Sequence, residues 1–358
     1  MLLLKSELER ALRATKRNLG SAIAVHILGT YLFKESKDTL TIRTGNLTSS
    51  TKTTIKIGQG EEKEYCVPAR LYDLLSLLPD LMLNVRNEGG KLVIRHGKSE
   101  YRLPILSGDE FPADIEKDPA QFEIELEAKD YLDKLQTVEV AAAKAKDDAR
   151  GFDALYYEII DNQMVLTATD TMILSTTNIS QKYPVETVNA IVTKESSDIL
   201  KAVLLEAKDE RVTLRIASKT VELETPGVTF ITLKSSTKVY PDYRKVIPQL
   251  NNIMFTIDRE KLLEVLSRLI RINERKQVKF TMKGNSVIVS GYEIGEEKIP
   301  GTLEGASEFE FYANPEKMKL VMMTHKKPEV TIRLKEAHKP ILIVDDHLSL
   351  IMPVRGEA

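Results

Sequence analysis

A single cysteine, Cys66, stands in a chain of 358 residues. This excludes an internal disulfide and leaves any thiolate metal site short of ligands, so Cys66 reads as a small core residue. Histidine is scarce too. His26, His96, His325, His338 and His347 show no HExxH or His-x-His spacing that would set two on one face, and no metal or other cofactor is expected. Asp345-Asp346-His347 has the donor types of a metal cluster but reads rather as a polar turn between two short strands. No apolar run approaches the roughly 18 residues needed to cross a bilayer, and the opening MLLLKSELERALRATKRNLG is amphipathic rather than a signal peptide. The cytosol is the expected compartment, with no membrane partner. Catalytic signatures are missing as well: there is no GxSxG and no GxxxxGK[ST], while GQGEEK (58–63) and NEGGK (87–91) read as hairpin turns. No enzymatic activity and no catalytic residue is expected. With 51 basic against 53 acidic side chains the formal net charge is −2, which excludes holding nucleic acid by bulk positive charge but not by a local basic surface.

What is present is an internal repeat. Three stretches change from strand alternation to helical spacing: MLLLKSELERALRA, FEIELEAKDYLDKLQTV from 122, and IMFTIDREKLLEVLSRLI from 253. Strand-like runs follow each, at TLTIRTG (39–45), QMVLTATD (163–170) and SVIVSGY (286–292). A second strand-to-helix entry comes next, from Tyr65, Ala190 and Phe311. Pro68 and Pro315 suit first helical turns, and Thr193 and Asn314 suit N-caps. Short alternating strands close the units, as in VTLRI, VELE and VTFITL, or VTIRL, ILIV and LSLIM. A period of roughly 120 residues fits three whole α+β domains rather than a solenoid, at 1–120, 121–249 and 250–358. The proline-bracketed YPDYRKVIP (240–248) joins the second to the third and is too restrained for a floppy tether.

Charge recurs with the repeat. Arg10, Arg13 and Arg17 follow i, i+3, i+7 on the first helix, away from Leu8, Leu12 and Leu19, and Arg268, Arg271 and Arg275 repeat the spacing in the third unit. The middle unit is weaker: Lys134 lies on the helix, with Lys144 and Lys146 just beyond it. Such faces, without interleaved aromatics, suit phosphate contacts that hold a duplex without reading its bases.

The ordered set HILG (26–29), VPAR (67–70), RHGKSEYRLPILSGDEFP (95–112), ATD (168–170), YPDYRKVIP and the C-terminal LIMPVR resembles, along the whole chain, the bacterial sliding clamp family, the beta subunit of DNA polymerase III. The resemblance implies a processivity factor: a head-to-tail homodimeric ring of three domains per subunit, helices facing duplex DNA and sheets outside. Its implied partners are duplex DNA of any sequence, a replicative polymerase and a clamp loader. It further implies a peptide cleft between the second and third domains, lined by Thr169, Met172, Ile173 and Leu174, by Pro241, Lys245 and Val246, and by Leu350, Met352, Pro353, Val354 and Arg355, with Phe152 beside them. The implied dimer contact sets Tyr101 and Leu103 against Ile272, unless both strand residues serve only their own core. Where the family commonly carries Gly-His-Arg or Gly-Tyr-Arg after ATD, Thr171-Met172-Ile173 stands here, which implies a greasier and less cationic cleft. Ala22 occupies the region where a DNA-touching arginine is common, and Gly356-Glu357-Ala358 extend the usual terminus. The rival reading is a scaffold of the same fold that binds partner peptides without encircling DNA.

Overall fold

The computed structural model describes residues 1–20, 26–144, 152–160, 163–179, 187–236, 239–249 and 251–356. Lys146 and Ala22 lie outside these residues, as do Glu357 and Ala358. Among the described residues there are six α-helices: α1 (Lys5–Lys16), α2 (Arg70–Ser76), α3 (Ala128–Glu139), α4 (Lys194–Glu206), α5 (Arg259–Ile272) and α6 (Pro315–Thr324). None is long and apolar enough to cross a membrane. The order strand, helix, four strands, helix, three strands recurs three times along the chain. Each repeat opens with a strand that runs into its helix, at Leu2–Leu4, Ala120–Glu127 and Ile253–Asp258.

The reason these segments alternate is visible in burial. Along Ala120–Glu127, Phe122, Ile124 and Leu126 are buried while Gln121, Glu123 and Glu125 are exposed, the period-2 signature of a half-covered strand. In α5 the buried set is Leu262, Val265, Leu266 and Leu269, one helical stripe. Each leucine so buried contributes roughly 1.5–3 kcal/mol. Asp258 caps α5 by accepting from the Lys261 amide at 2.9 Å, and Asn314 caps α6 by accepting from Glu316 at 2.9 Å and Lys317 at 3.2 Å, with Pro315 at the first helical position. Pro68 behaves otherwise. It ends the strand Lys63–Pro68, paired with Thr30, and α2 begins only at Arg70, because a terminal strand position tolerates a missing N–H as well as a helix start does.

The chain forms two compact units whose borders run through the middle repeat, one of residues 1–132 and 195–235, the other of residues 133–194 and 236–358. In the first, a nine-stranded antiparallel sheet continues from one repeat into the next where Val228–Leu233 pairs with Ser49–Lys56, Val228 opposite Thr53 and Thr232 opposite Ser49. A four-stranded sheet completes the unit, with Ser99–Pro104 at its edge. Leu8 and Leu12 of α1 and Leu71 and Leu75 of α2 share one core with Phe33, Tyr65 and Leu92. The hairpin at Asn87–Lys91 turns on Gly89 and Gly90, whose φ of 57° and 72° demand glycine-like freedom. Cys66 is buried and its thiol is pushed up to about 11 by that burial, consistent with an inert core residue.

In the second unit a twelve-stranded antiparallel sheet runs from Val188–Thr193 at one edge to Glu308–Ala313 at the other. Here the middle and last repeats join where Ile173–Ile179 pairs with Leu348–Ile351, with Ile173 opposite Ile351 and Leu174 opposite Leu350. Asp345-Asp346-His347 forms the turn between Ile341–Val344 and Leu348–Ile351, as expected, closed by the Asp345 amide donating to the His347 carbonyl at 3.1 Å.

Candidate partner-peptide cleft and basic faces

The second unit gathers three separate parts of the chain around one apolar cluster. Leu174 and Leu350 are neighbours across the strand joint, and the connector lays Tyr243 on both. Tyr156, Tyr240, Ile247, Leu348 and Met352 pack round these three and remain partly open. The connector is stiff because its tyrosines are tied down. Tyr240 stacks on Tyr156 with ring centroids 4.8 Å apart and 5° between planes, and Tyr243 Oη donates to Glu158 at 3.4 Å. Arg244 also reaches Glu158, at 3.3 Å through Nη1, an ion pair that raises the guanidinium above its ordinary value. The residues Tyr243–Val246 coil into a 3-10 turn that leaves Val246 49% exposed on the rim, beside exposed Pro241 and Lys245.

The turn after ATD is the opposite lip. Asp170 Oδ1 accepts from the amides of Met172 at 2.9 Å and Ile173 at 2.8 Å, and Lys317 of α6 binds its other oxygen. The Met172 carbonyl then accepts from the Met352 amide at 2.7 Å, so the turn and the C-terminal segment are joined by a backbone hydrogen bond. Val354 is held in turn by its amide donating to the Tyr312 carbonyl at 2.9 Å. Thr171 has a φ of 76°, a left-handed conformation that costs a side-chain-bearing residue about 1–2 kcal/mol. Since Thr171 is exposed, Thr171→Gly is expected to stabilise the chain by about 0.5–1 kcal/mol after allowing for glycine's extra freedom when unfolded. Urea unfolding checks this, and an unchanged or lower midpoint would mean the threonine side chain itself contributes.

The cleft residues implied by the resemblance differ in exposure. Leu174 and Leu350 are buried in the cluster with partly buried Met352 packed on it, and Met172, Pro353 and Val354 are half-buried. Arg355 is exposed at the end of the C-terminal wall. Thr169 and Ile173 are buried beneath: Thr169 Oγ1 donates to the Ile173 carbonyl at 2.7 Å and shapes the turn from within. Phe152 is half-buried, its carbonyl accepting from the Ala143 amide at 3.1 Å, and is not a member of the Tyr243 cluster. Tyr156, Tyr240 and Tyr243, which form the floor, were not singled out as lining residues. The paired tyrosines of YPDYRKVIP were the available signal.

The basic faces are more heterogeneous than their spacing suggested. Arg10, Arg13 and Arg17 are all exposed, but Arg13 is engaged with Glu206, at 3.2 Å from Nε and 3.1 Å from Nη2. Arg268 forms a fork with Glu297, at 2.8 and 2.6 Å, which raises the guanidinium and lowers the carboxyl. Arg275 does not share the helical face assigned to it. Helix α5 ends at Ile272, and the Arg275 guanidinium lies 3.5 Å from the centre of the Tyr292 ring. Arg10, Arg17, Arg271 and Lys144 are exposed with no ion pair among the described residues, and Lys134 is half-buried. Tyr101 and Leu103 pack on their own unit's core while remaining partly open on the edge strand, and Ile272 is 56% exposed at the end of α5.

A second correction concerns histidine. The sequence offered no spacing to unite two of them, yet His325, which caps the end of α6, stacks on His347 of the hairpin turn with ring centroids 4.0 Å apart. Tertiary packing, not local spacing, brings them together.

A thrice-repeated α+β unit, two helices on antiparallel sheets that continue from repeat to repeat, defines the DNA-clamp fold. The solved structures agree. The DNA polymerase III beta subunit of Thermotoga maritima superposes with a TM-score of 0.91 at 22% identity, covering 99% of both chains, and a DNA polymerase sliding clamp of Pseudomonas aeruginosa with 0.92 at 21%, also over 99% of both. Residues 2–115 match the family model described as DNA polymerase III beta subunit, N-terminal domain. Over 98% of both chains the sequence is 25% identical to the beta sliding clamp of Vibrio cholerae, and over 60% of this chain and 59% of the relative it is 26% identical to that of Pseudomonas aeruginosa. By fold, and by sequence along nearly its whole length, the chain is thus similar to beta sliding clamps, and residues 2–115 match the N-terminal domain of that family.

Proposed function

We propose that this protein is a working sliding clamp: a homodimeric ring that encircles duplex DNA and tethers a replicative polymerase, a clamp loader and other proteins through the Tyr243 groove. Three domains, at 1–120, 121–249 and 250–358, build each half. The observation that carries the reading is the recurrence of one element order three times, with exposed arginines on the opening helices of the first and last repeats. A closed ring retains DNA by topology, so a net charge of −2 is no obstacle, and a few phosphate contacts suffice to centre the duplex.

The ion pairs of Arg13 and Arg268 sharpen the test. Both are committed to carboxylates, so the exposed Arg10, Arg17 and Arg271 are the better phosphate ligands. Replacing Arg10 and Arg17 by Glu is expected to lower loader-assisted assembly on nicked circular DNA of any sequence. It should flatten the salt slope by roughly one unit for each phosphate that is no longer neutralised. Arg13→Glu alone should do less. Equal loading by the Arg10/Arg17 double variant would remove these residues from the channel.

The same neutralised arginines favour one rival, a scaffold that keeps the groove and does not encircle DNA. Linearisation separates the two. A ring slides off the free ends, whereas a scaffold shows no retention on the circle to begin with.

A further inference from the structure

We infer that His325, Asp345 and His347 form a binding site for a single zinc-class divalent ion, a role outside the DNA and peptide chemistry of the clamp. Their donor atoms all lie within 4.8 Å of one another. His325 Nδ1 is 2.9 Å from one Asp345 oxygen and His347 Nδ1 is 3.4 Å from the other. Bonds of roughly 2.0–2.2 Å to a tetrahedral ion would set ligand atoms about 3.3–3.6 Å apart, so the donors stand close enough for small side-chain rotations to gather them on one ion.

Hydrogen bonding around the cluster leaves a cation wanting. The Thr324 hydroxyl donates its proton to the Val321 carbonyl at 2.7 Å, so toward His347 Nε2, 3.0 Å away, it can only accept. His347 therefore carries its proton on Nε2 and turns the Nδ1 lone pair toward the carboxylate, two electron-rich atoms facing each other. Thr324 thus stands where the outer partner of a metal-bound imidazole stands, fixing its tautomer. His325 has no accessible surface, Nε2 has no partner, and Nδ1 faces the Asp345 carboxylate at 2.9 Å, the position from which it would share a cation with that carboxylate.

Two imidazoles and one carboxylate are the donor set of zinc rather than of magnesium or calcium. A cavity of about 20 Å³ beside Asp345 and His347 has room for one water as fourth ligand. Its wall also carries Asp346 and the ion pair of Lys326 with Asp133, and half-buried Lys134. Capture of the ion turns one imidazole to bring its lone pair round, which ends the ring stack. The ion would fasten the end of α6 to the hairpin whose second strand carries Leu350 into the groove.

The test uses the full chain. After dialysis into metal-free buffer and titration with ZnCl2, wild type is expected to bind one Zn2+ per chain and to melt at least about 3 °C higher than with chelator. His347→Gln and Asp345→Asn should each weaken binding about 100-fold or more and abolish the melting shift, with circular dichroism confirming that both are folded. Cobalt in place of zinc should give the visible absorption of a tetrahedral centre in wild type only. Zinc held equally by wild type and by a His325→Gln/His347→Gln variant would be an adventitious ion only and would overturn the site, as would a wild type that binds none. Should His325→Gln fail to fold, the two single variants decide in the same way.

Discussion

Deletion of Met352 through Ala358 is expected to lower affinity for a clamp-binding peptide of the Gln-Leu-x-Leu-Phe type by at least about tenfold, roughly 1.4 kcal/mol, and to leave the protein folded. The deleted segment begins after the last strand, Leu348–Ile351, so the register of Leu174 opposite Leu350 and the twelve-stranded sheet survive. What goes is the wall: the Met352 side chain at the groove, its amide bond to Met172, and the Val354 amide bond to Tyr312. A preformed apolar groove binds short peptides with little ordering cost, so one or two inserted side chains can supply micromolar affinity, about −8 kcal/mol. Losing one wall exposes those side chains again. Met172→His should act differently, reordering the preference among peptides more than the strength of the best, because it changes polarity at one lip and leaves Tyr243, Leu174 and Leu350 in place. Calorimetry with the truncated protein decides: undiminished affinity would leave YPDYRKVIP as a connector between repeats and nothing more.

Ile272→Asp is expected to convert the proposed dimer into a folded monomer. Ile272 is 56% exposed at the last turn of α5, so within one chain an aspartate there costs little and the melting temperature should hardly move. Against a partner's edge strand bearing Tyr101 and Leu103 the same carboxylate would be buried without a counter-charge, a penalty of several kcal/mol. The dimer dissociation constant should rise at least about 100-fold, or 2.7 kcal/mol. Sedimentation reads this directly, since the subunit is 40.3 kDa. Among the described residues the edge strand Ser99–Pro104 has one side without a sheet neighbour, an edge that a partner would cover. A variant that dimerises as tightly as wild type would locate the contact elsewhere.

Strand positions were legible wherever one face is wet. The runs at 39–45, 228–233 and 341–344 coincide with Thr39–Gly45, Val228–Leu233 and Ile341–Val344. Helix ends were less so. Arginine spacing alone extended α5 to Arg275, but beyond Ile272 no apolar side chain anchors another turn, and Asn273 ends the helix instead. The groove's three walls were named from resemblance, yet its tyrosine floor came only with the fold, because Tyr156 meets Tyr240 through packing that no local pattern encodes. Nor could spacing reveal that Glu206 and Glu297 occupy Arg13 and Arg268, or that the end of α6 would set His325 upon His347. These are long-range pairings, fixed by register and crossover rather than by neighbours in sequence.

Beneath the tyrosines lies a sheet joint, with Leu174 opposite Leu350. A slip of either strand by one residue would turn its leucine away and present Ser175 or Ser349 instead, so this part cannot drift gradually. Under the proposed function, divergence in what is recruited is channelled to Met172, Val246 and Met352, where one substitution alters a contact without moving a strand. Descendants of this chain could change allegiance from one client to another by single steps while the pocket beneath stays constant.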